Sequence, residues 1–246
     1  MSFPFLIIAG IVTGFIDSVA GGGGLISLPV LSLALAPGAE AIGTNKIVGT
    51  LAALVALIVY ARAGHMDLKK SLLFALFIAG GSFLGSLITP HLRQSSFRWI
   101  LLVMCPFILW VVLKKDLWTQ ERHSRPLRKH SAFKIGLSGL ACGLYDGAFG
   151  PGGGTFMFLS LLFFARLPLF IALAASKLAN TTSAGVALVS YASRGFVHWT
   201  EGTLMAIGVI AGAFLGARFA TKKAAVLVRP VLVTVSGLLI LKLLLE

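Results

Sequence analysis

Long apolar runs alternate with short polar stretches along the first half of the chain. Residues 1–39 contain one charged side chain, Asp17, and residues 41–61 contain one, Lys46. Residues 71–90 and 99–113 contain none. A helix needs about 20 apolar residues to cross the hydrocarbon core of a bilayer. Each of these runs therefore predicts a membrane helix or, where the run is much longer than one span, more than one helical element.

The same pattern recurs after the polar stretch at residues 114–134. Residues 135–165 contain only Asp146, residues 167–193 contain only Lys177, and two further apolar runs follow at 202–217 and 224–241. We therefore predict an all-α polytopic integral membrane protein. Its predicted parts are a first membrane repeat at 1–115, a basic cytoplasmic linker at 116–131, and a second membrane repeat at 132–246.

Two of the apolar runs are interrupted by glycine clusters. The first cluster is Gly21–Gly24, and the second is the Gly150–Gly154 stretch, which includes Pro151. Each glycine in a helix interior costs about 1 kcal/mol relative to alanine, and proline costs more. Each run is therefore predicted to be a broken helix, either re-entrant or discontinuous. Non-helical backbone is tolerated at membrane depth only where protein or a water-filled cavity satisfies it, so the breaks should face inward.

The two halves of the chain repeat one another. At an offset of 131, Lys46 matches Lys177 and Pro37 matches Pro168, and around the glycine clusters an offset of 129 matches Asp17 with Asp146. The pairs Gly81/Gly85 and Gly212/Gly216 also correspond, and we interpret them as small-residue helix contacts. Each repeat is predicted to hold one broken segment and about three transmembrane helices.

Charged loops predict the orientation of the repeats. If the linker is cytoplasmic and the spans alternate, the loops at residues 62–70 and 218–229 lie on the same side and collect most of the lysines and arginines. This distribution agrees with the positive-inside rule. The two repeats would then have inverted topology, in a multi-pass protein of the inner membrane.

Composition limits the class of protein further. Hydrophobic residues make up 57% of the chain and charged residues 12%, about half of the charged fraction typical of soluble domains. The net charge is +13, but the basic residues lie in short loops between apolar runs and form no face suited to nucleic acid. We therefore expect a membrane protein that binds no nucleic acid.

Four ionisable residues fall inside predicted membrane segments. Insertion of a lysine or aspartate at the centre of a membrane helix costs about 2.5–3.5 kcal/mol. Each of these residues is therefore expected to form an ion pair or to belong to a functional site. One interpretation is a Lys–Asp pair within each half, Lys46 with Asp17 and Lys177 with Asp146, which fixes the packing. The other is a cationic site for an anion, in which Asp17 and Asp146 balance the charge or carry a proton.

The broken helices favour the anion site. A half-helix that begins after the glycines directs unsatisfied N–H groups and the positive end of its dipole at whatever lies there. Nearby hydroxyl and amide groups would add hydrogen bonds; Ser27, Asn180 and Thr181 are further polar neighbours. The predicted substrate-binding residues are Lys46, Lys177, Asn45, Thr44, Ser176, Ser18, Gly23, Gly24, Gly153, Gly154 and Thr155.

At these residues the chain resembles the TauE/SafE sulfite exporter family of membrane transporters, also called TSUP. The first signature is Gly14-Phe-Ile-Asp17-Ser-Val-Ala-Gly21-Gly-Gly-Gly24, followed by Thr44-Asn45-Lys46. The second is Gly143-Leu-Tyr-Asp146-Gly-Ala-Phe-Gly150-Pro-Gly-Gly-Gly154, followed by Ser176-Lys177. The resemblance covers nearly the whole chain. It implies transport of sulfite, organosulfur compounds, sulfonates or related oxyanions across the inner membrane.

The sequence thus predicts a secondary transporter of small anions that works by alternating access, with an anion site between the repeats. An anion channel that uses the same lysine-lined pathway is the alternative. The chain shows no cofactor motif, metal cluster or nucleophile–base pair, so we expect neither an enzyme nor a bound cofactor or metal. Its expected partners are the anionic substrate and membrane lipids, and it could also form a homodimer.

Overall fold

The described part of the structure, a computed structural model, consists of helices and short connections. It comprises residues 3–35, 37–64, 68–92 and 129–245. The apolar run at 99–113 and residues 116–128 of the predicted linker at 116–131 lie outside the described residues, and residues 129–131 belong to a helix. The helices are α1 (Phe3–Ala20), α2 (Gly24–Leu35), α3 (Ala39–Arg62), α4 (Leu68–Ile88), a short 3-10 turn (Thr89–His91), α5 (Lys129–Ala148), α6 (Gly153–Phe163), α7 (Leu169–Ala192) and α8 (Trp199–Leu245).

The helices confirm the prediction of an all-α polytopic membrane protein. Four helical stretches in the described residues are long and apolar enough to cross a membrane: Phe3–Ala20, Ala39–Arg62, Ser71–His91 and Trp199–Lys222. Large apolar side chains, among them Ile8, Leu76 and Phe133, are more than half exposed on the outer surface. Such a surface is stable in lipid, where no polar coat is needed.

The broken segments fold back as helical hairpins. The helix after each break is short, 12 residues in α2 and 11 in α6, or about 18 and 16 Å at 1.5 Å per residue. The rings of Tyr145 on α5 and Phe156 on α6 meet edge to face at 5.1 Å, and the two helices share a groove that extends to Leu137 and Phe163. In the first half, a Cβ at Gly23 would lie 3.0 Å from the carbonyl oxygen of Thr13 on α1.

The first helix of each half packs against the last described helix of the other half. A Cβ at Gly81 or Gly85 on α4 would collide with backbone carbonyls of α5, and a Cβ at Gly212 on α8 would collide with the carbonyl of Ile11 on α1. Such close backbone approach is available only to glycine. The predicted small-residue contacts are confirmed, and both join one half of the chain to the other.

The lysine-bearing helices α3 and α7 pack on each other in antiparallel order. Gly43 on α3 lies against the Tyr191 side chain of α7, whereas Gly49, further along α3, lies against Ala184, which is earlier in α7. Equivalent helices that meet in antiparallel order are what an inverted repeat requires. The orientation of the halves across the membrane stays a prediction.

The prediction of a loop at residues 218–229 is wrong. These residues belong to α8, which runs unbroken for 47 residues, about 70 Å, and is too long for a single straight span. No glycine or proline occurs between Gly216 and Pro230, and the intervening residues are mostly good helix formers. These basic residues therefore belong to a helix, and one of the loops from which the topology was predicted is not a loop.

Candidate functional site

The two glycine breaks cross each other at the centre of the described helices. Gly21 has φ +78°, and a Cβ there would lie 2.5 Å from the carbonyl carbon of Gly154 and 2.7 Å from the backbone nitrogen of Thr155. A Cβ at Gly24 would lie 3.2 Å from the Cα of Pro151. Real Cβ atoms do not approach backbone as closely as the site at Gly21 demands. The glycine clusters therefore serve two needs, the sharp reversal of the chain and the contact between the breaks.

Each intramembrane lysine is paired with the aspartate of the other half. Lys46 Nζ donates to Asp146 Oδ2 at 3.1 Å and also to the Asp146 backbone carbonyl. Lys177 Nζ donates to Asp17 Oδ2 at 3.3 Å and to the Asp17 carbonyl. The interpretation of a Lys–Asp pair within each half is therefore wrong in its pairing. The ion pairs do form, but they bridge the two halves.

Helix ends explain why the lysines take these positions. Asp17 and Asp146 lie in the last turns of α1 and α5, where backbone carbonyls lack intrahelical partners and the helix dipole is negative. An ammonium group placed there satisfies a carbonyl and a carboxylate together. The four side chains are 1–4% exposed, and the cluster of two positive and two negative charges has no formal net charge.

Two equivalent tyrosines support the same helix ends. Tyr60 of α3 donates from its hydroxyl to the Ser18 carbonyl at 2.8 Å, and Tyr191 of α7 donates to the Gly147 carbonyl at 2.9 Å. Each acceptor follows the paired aspartate directly in the chain. In each half, therefore, two consecutive carbonyls at a helix end accept hydrogen bonds. One bond comes from the lysine of the other half, across the interface between the halves (the seam), and one comes from the tyrosine of the same half.

A small polar cavity lies beside the ion pairs. Its volume is about 20 Å³, which suits one water molecule. Lys46, Asp17 and Asp146 all reach its wall, whereas Lys177 does not line it. The lining residues are Thr13, Asp17, Gly21, Gly23, Gly24, Ser27, Asn45, Lys46, Val48, Gly49, Ala52, Asp146, Gly150, Gly154, Asn180 and Ala184.

The structure brings part of the predicted site together. Of the predicted residues, Lys46, Asn45, Asp17, Asp146, Gly23, Gly24 and Gly154 line the cavity. Lys177 lies behind Asp17, and a Cβ at Gly153 would press on the Asp146 side chain. Ser27 and Asn180, considered as polar neighbours, also line the cavity, and Thr181 bonds back to the Lys177 carbonyl.

Four predicted hydroxyl residues do not line the cavity. Ser18 and Ser176 bond back to carbonyls of their own helices, at Phe15 and Leu173. Thr155 donates to the Ala20 carbonyl at 3.0 Å and so ties the two breaks together. Thr44 accepts from the backbone N–H of His198 at 2.9 Å. Their hydroxyls serve packing and helix ends in this state.

Two polar residues of the site were not predicted. Thr13 lines the cavity, and its position four residues before Asp17 puts both on one face of α1, a spacing visible in the sequence. Ser183 donates from its hydroxyl to Asp146 Oδ2 at 2.6 Å. That contact joins α7 to α5, and no local spacing indicates it.

The site offers no metal-binding set. Within residues 3–35, 37–64, 68–92 and 129–245, no three histidine, cysteine, aspartate or glutamate side chains are grouped so that they could hold a metal ion. What the arrangement can supply is a buried ammonium group, two paired carboxylates, and backbone N–H groups at the starts of α2 and α6.

Comparison with known proteins agrees with this architecture. The sulfite exporter TauE/SafE family model matches residues 6–243. A probable membrane transporter protein, ORF9 of Sinorhizobium sp, is 37% identical over 98% of this chain and 91% of its own length. The probable membrane transporter protein YfcA of Escherichia coli strain K12 is 33% identical over 97% of this chain and 88% of its own length. No solved structure gives a significant match. The chain therefore belongs to the sulfite exporter TauE/SafE family of membrane transporters.

Proposed function

We propose that the protein is a secondary transporter of small anions such as sulfite, organosulfur compounds, sulfonates or related oxyanions, with its binding site at the crossing of the two breaks. The observation that carries the proposal is Lys46. Lys46 is 2% exposed within a helix that is long and apolar enough to span a membrane, where a charge is expensive, and it reaches the wall of the small polar cavity. Lys177 is the second cation near the site, where it pairs with Asp17 on the cavity wall.

Charge balance suggests how an anion binds. The closed cluster is formally neutral, so an anion that enters competes with the Asp146 carboxylate for Lys46. The displaced carboxylate keeps the Ser183 hydroxyl as a donor, or it takes up a proton. In the proposal Asp146 and Asp17 therefore balance the lysines when the site is empty and couple anion binding to protonation. An unpaired buried carboxylate would be costly, which favours proton uptake.

Helix starts add a second attraction for anions. Gly24 begins α2 and Gly154 lies in the first turn of α6, and both line the cavity. Positive dipole ends of short membrane helices commonly face anionic groups of transported substrates. The negative ends of α1 and α5 are already covered by the lysines, so the net field of the helix ends favours an anion at the crossing.

The size of the cavity supports a carrier that alternates between states. A volume of about 20 Å³ is too small for an oxyanion with four heavy atoms, so the halves must part before a substrate enters. The ion pairs bridge the seam that would open, and in the proposal each is replaced by a contact with the substrate. Alternating access by motion of one repeat against the other uses these features directly.

The test is transport by purified protein in liposomes. Sulfite, small sulfonates and small carboxylates are supplied outside, and uptake is followed with and without the same anion inside. We expect saturable uptake with counterflow for at least one of them. Lys46→Gln should lower this uptake at least a hundredfold, because the anion loses its buried cation. Lys222→Gln, which removes an exposed lysine on α8, is the matched control and should transport normally.

Two results would overturn the proposal. Uptake that is unchanged in a folded Lys46→Gln variant would remove the lysine from the site. Flux that rises linearly with concentration, without counterflow, would favour the anion channel that shares the same residues.

A further inference from the structure

Two buried polar atoms without a hydrogen-bond partner belong to side chains that line the cavity. Thr13 Oγ1 and Asn45 Oδ1 are buried, belong to side chains 1% and 5% exposed, and make no hydrogen bond to any described residue. Both side chains line the same cavity, one from α1 and the other from α3. A buried polar group without a partner is costly, so two such groups on residues that line one cavity indicate a ligand that serves both.

The chemistry of the two atoms limits what the ligand is. The Asn45 amide oxygen can only accept a hydrogen bond, and the Thr13 hydroxyl can donate or accept. A bare oxyanion oxygen would repel the amide oxygen. The partner must therefore present a hydrogen, and an O–H group meets both atoms, donating to Asn45 and accepting from Thr13. The charged end of the same molecule is left to Lys46, the next residue in the chain.

We infer that Thr13 and Asn45 form a subsite for a hydroxyl group, so that the transporter prefers small anions that carry one. In the closed state a water molecule supplies this group, as the cavity volume allows. When the substrate binds, its own hydroxyl replaces the water. The inference rests on the proposed function and adds the chemical class of the preferred anion.

Pairs of anions with the same shape provide the test. Glycolate and propionate differ only in a hydroxyl that replaces a methyl group, as do 2-hydroxyethanesulfonate and propane-1-sulfonate. Affinities are measured on the full-length purified protein by the ligand-induced rise in melting temperature. In the wild-type protein we expect the hydroxyl member of at least one pair to bind about tenfold more tightly, the size of one buried hydrogen bond.

Variants connect this preference to the subsite. Thr13→Val and Asn45→Leu keep the side-chain shape and remove the polar atoms, and each should bring the affinity ratio of the two members close to one. Thr182→Val is the matched control, because its hydroxyl bonds back to the Leu178 carbonyl and lies outside the cavity. It should retain the wild-type ratio.

The outcomes separate this inference from the proposed function. If both members of each pair bind equally well to the wild type and lose affinity in Lys46→Gln, the anion site stands and the hydroxyl subsite is overturned. If Thr13→Val then also lowers the melting temperature without ligand, the subsite holds only water. If none of the four anions binds and Lys46→Gln changes no transport, the proposed function itself fails.

Discussion

The two halves place identical charges at the seam but surround them with different neutral residues. Lysine, aspartate and tyrosine recur in both halves and make equivalent contacts. At the position equivalent to Ser183, however, the first half has Ala52, and at the position equivalent to Thr13 the second half has Cys142. The repeated residues therefore dock one half on the other, whereas the unrepeated ones shape a cavity that lacks twofold symmetry.

The difference matters for binding. A symmetric site would hold an anion equally well in two opposite orientations. Here Thr13 and Asn45 come from the first half, and Asn180 reaches the cavity from a position where the first half has Gly49. Lys46 faces the cavity and Lys177 does not. Each of the following predictions changes one half and asks whether the equivalent change in the other half has the same effect.

The largest effect is expected at the crossing of the breaks. Gly21 and Gly150 are equivalent, and both have positive φ, +78° and +90°. A Cβ at Gly21 meets backbone of the other break at 2.5 Å, whereas a Cβ at Gly150 comes no closer than 3.4 Å to its nearest neighbour, the Nζ atom of Lys46. Gly21→Ala should cost more than about 4 kcal/mol and abolish folding at moderate temperature. Gly150→Ala should fold and cost less.

Gly64→Ala is the control for backbone strain alone. Gly64 has φ +80° and nothing within 4 Å of its Cβ position, so the substitution should cost about 1–2 kcal/mol. Melting temperature in detergent and elution as a monodisperse peak are the measurements. Equal melting of the Gly21 and Gly64 variants would show that the breaks do not touch as described.

The breaks and the charges were predictable from the sequence, for a simple physical reason. Four glycines in an apolar run and a lone lysine in the next one are both expensive inside a membrane helix, so they signal local features without knowledge of the fold. Cavity-lining residues near them, such as Asn45 and Gly24, were found in the same way. Thr13 could have been found from its spacing to Asp17.

The pairing was not predictable on the same basis. The internal repeat shows that Lys46 and Lys177 are alike, but it does not show which aspartate each one meets. That depends on the seam between the halves, where α3 and α7 pack in antiparallel order. The contact of Ser183 with Asp146 has the same origin. The continuous α8 was missed because basic residues suggested a loop, although local helix propensity favoured a helix.

The next largest effect concerns the ion pairs. Lys177→Met leaves Asp17 buried without its cation and should cost about 3–5 kcal/mol, and so should Lys46→Met on the Asp146 side. Adding Asp17→Leu or Asp146→Leu, respectively, should restore most of the stability, because apolar residues can replace a buried pair. Chemical or thermal unfolding in detergent measures both steps.

Anion binding should separate the two pairs. The rise in melting temperature with a bound anion should vanish in the Lys46/Asp146 double variant and only decrease in the Lys177/Asp17 double variant, because Lys46 alone reaches the cavity. Equal losses in the two double variants would mean that the site is symmetric after all.

The smallest effect concerns the one hydroxyl that distinguishes the two carboxylates. Ser183 donates to Asp146 at 2.6 Å, while the equivalent Asp17 accepts the Gly23 N–H at 3.2 Å, and the residue equivalent to Ser183 is Ala52. Ser183→Ala should cost about 1.5–3 kcal/mol, the range for a hydrogen bond to a charged group. Ala52→Ser adds the missing donor and should cost nothing or stabilise slightly.

The pair of variants also tests proton coupling. If Asp146 takes up the proton, removal of the Ser183 hydroxyl that donates to it should change the pH dependence of anion binding. Ala52→Ser should change that dependence little, because Asp17 pairs with Lys177, which does not line the cavity. Measuring anion affinity against pH in both variants decides the point. A larger shift with Ala52→Ser than with Ser183→Ala would make Asp17, and not Asp146, the proton-carrying residue, and the roles of the two halves would be reversed.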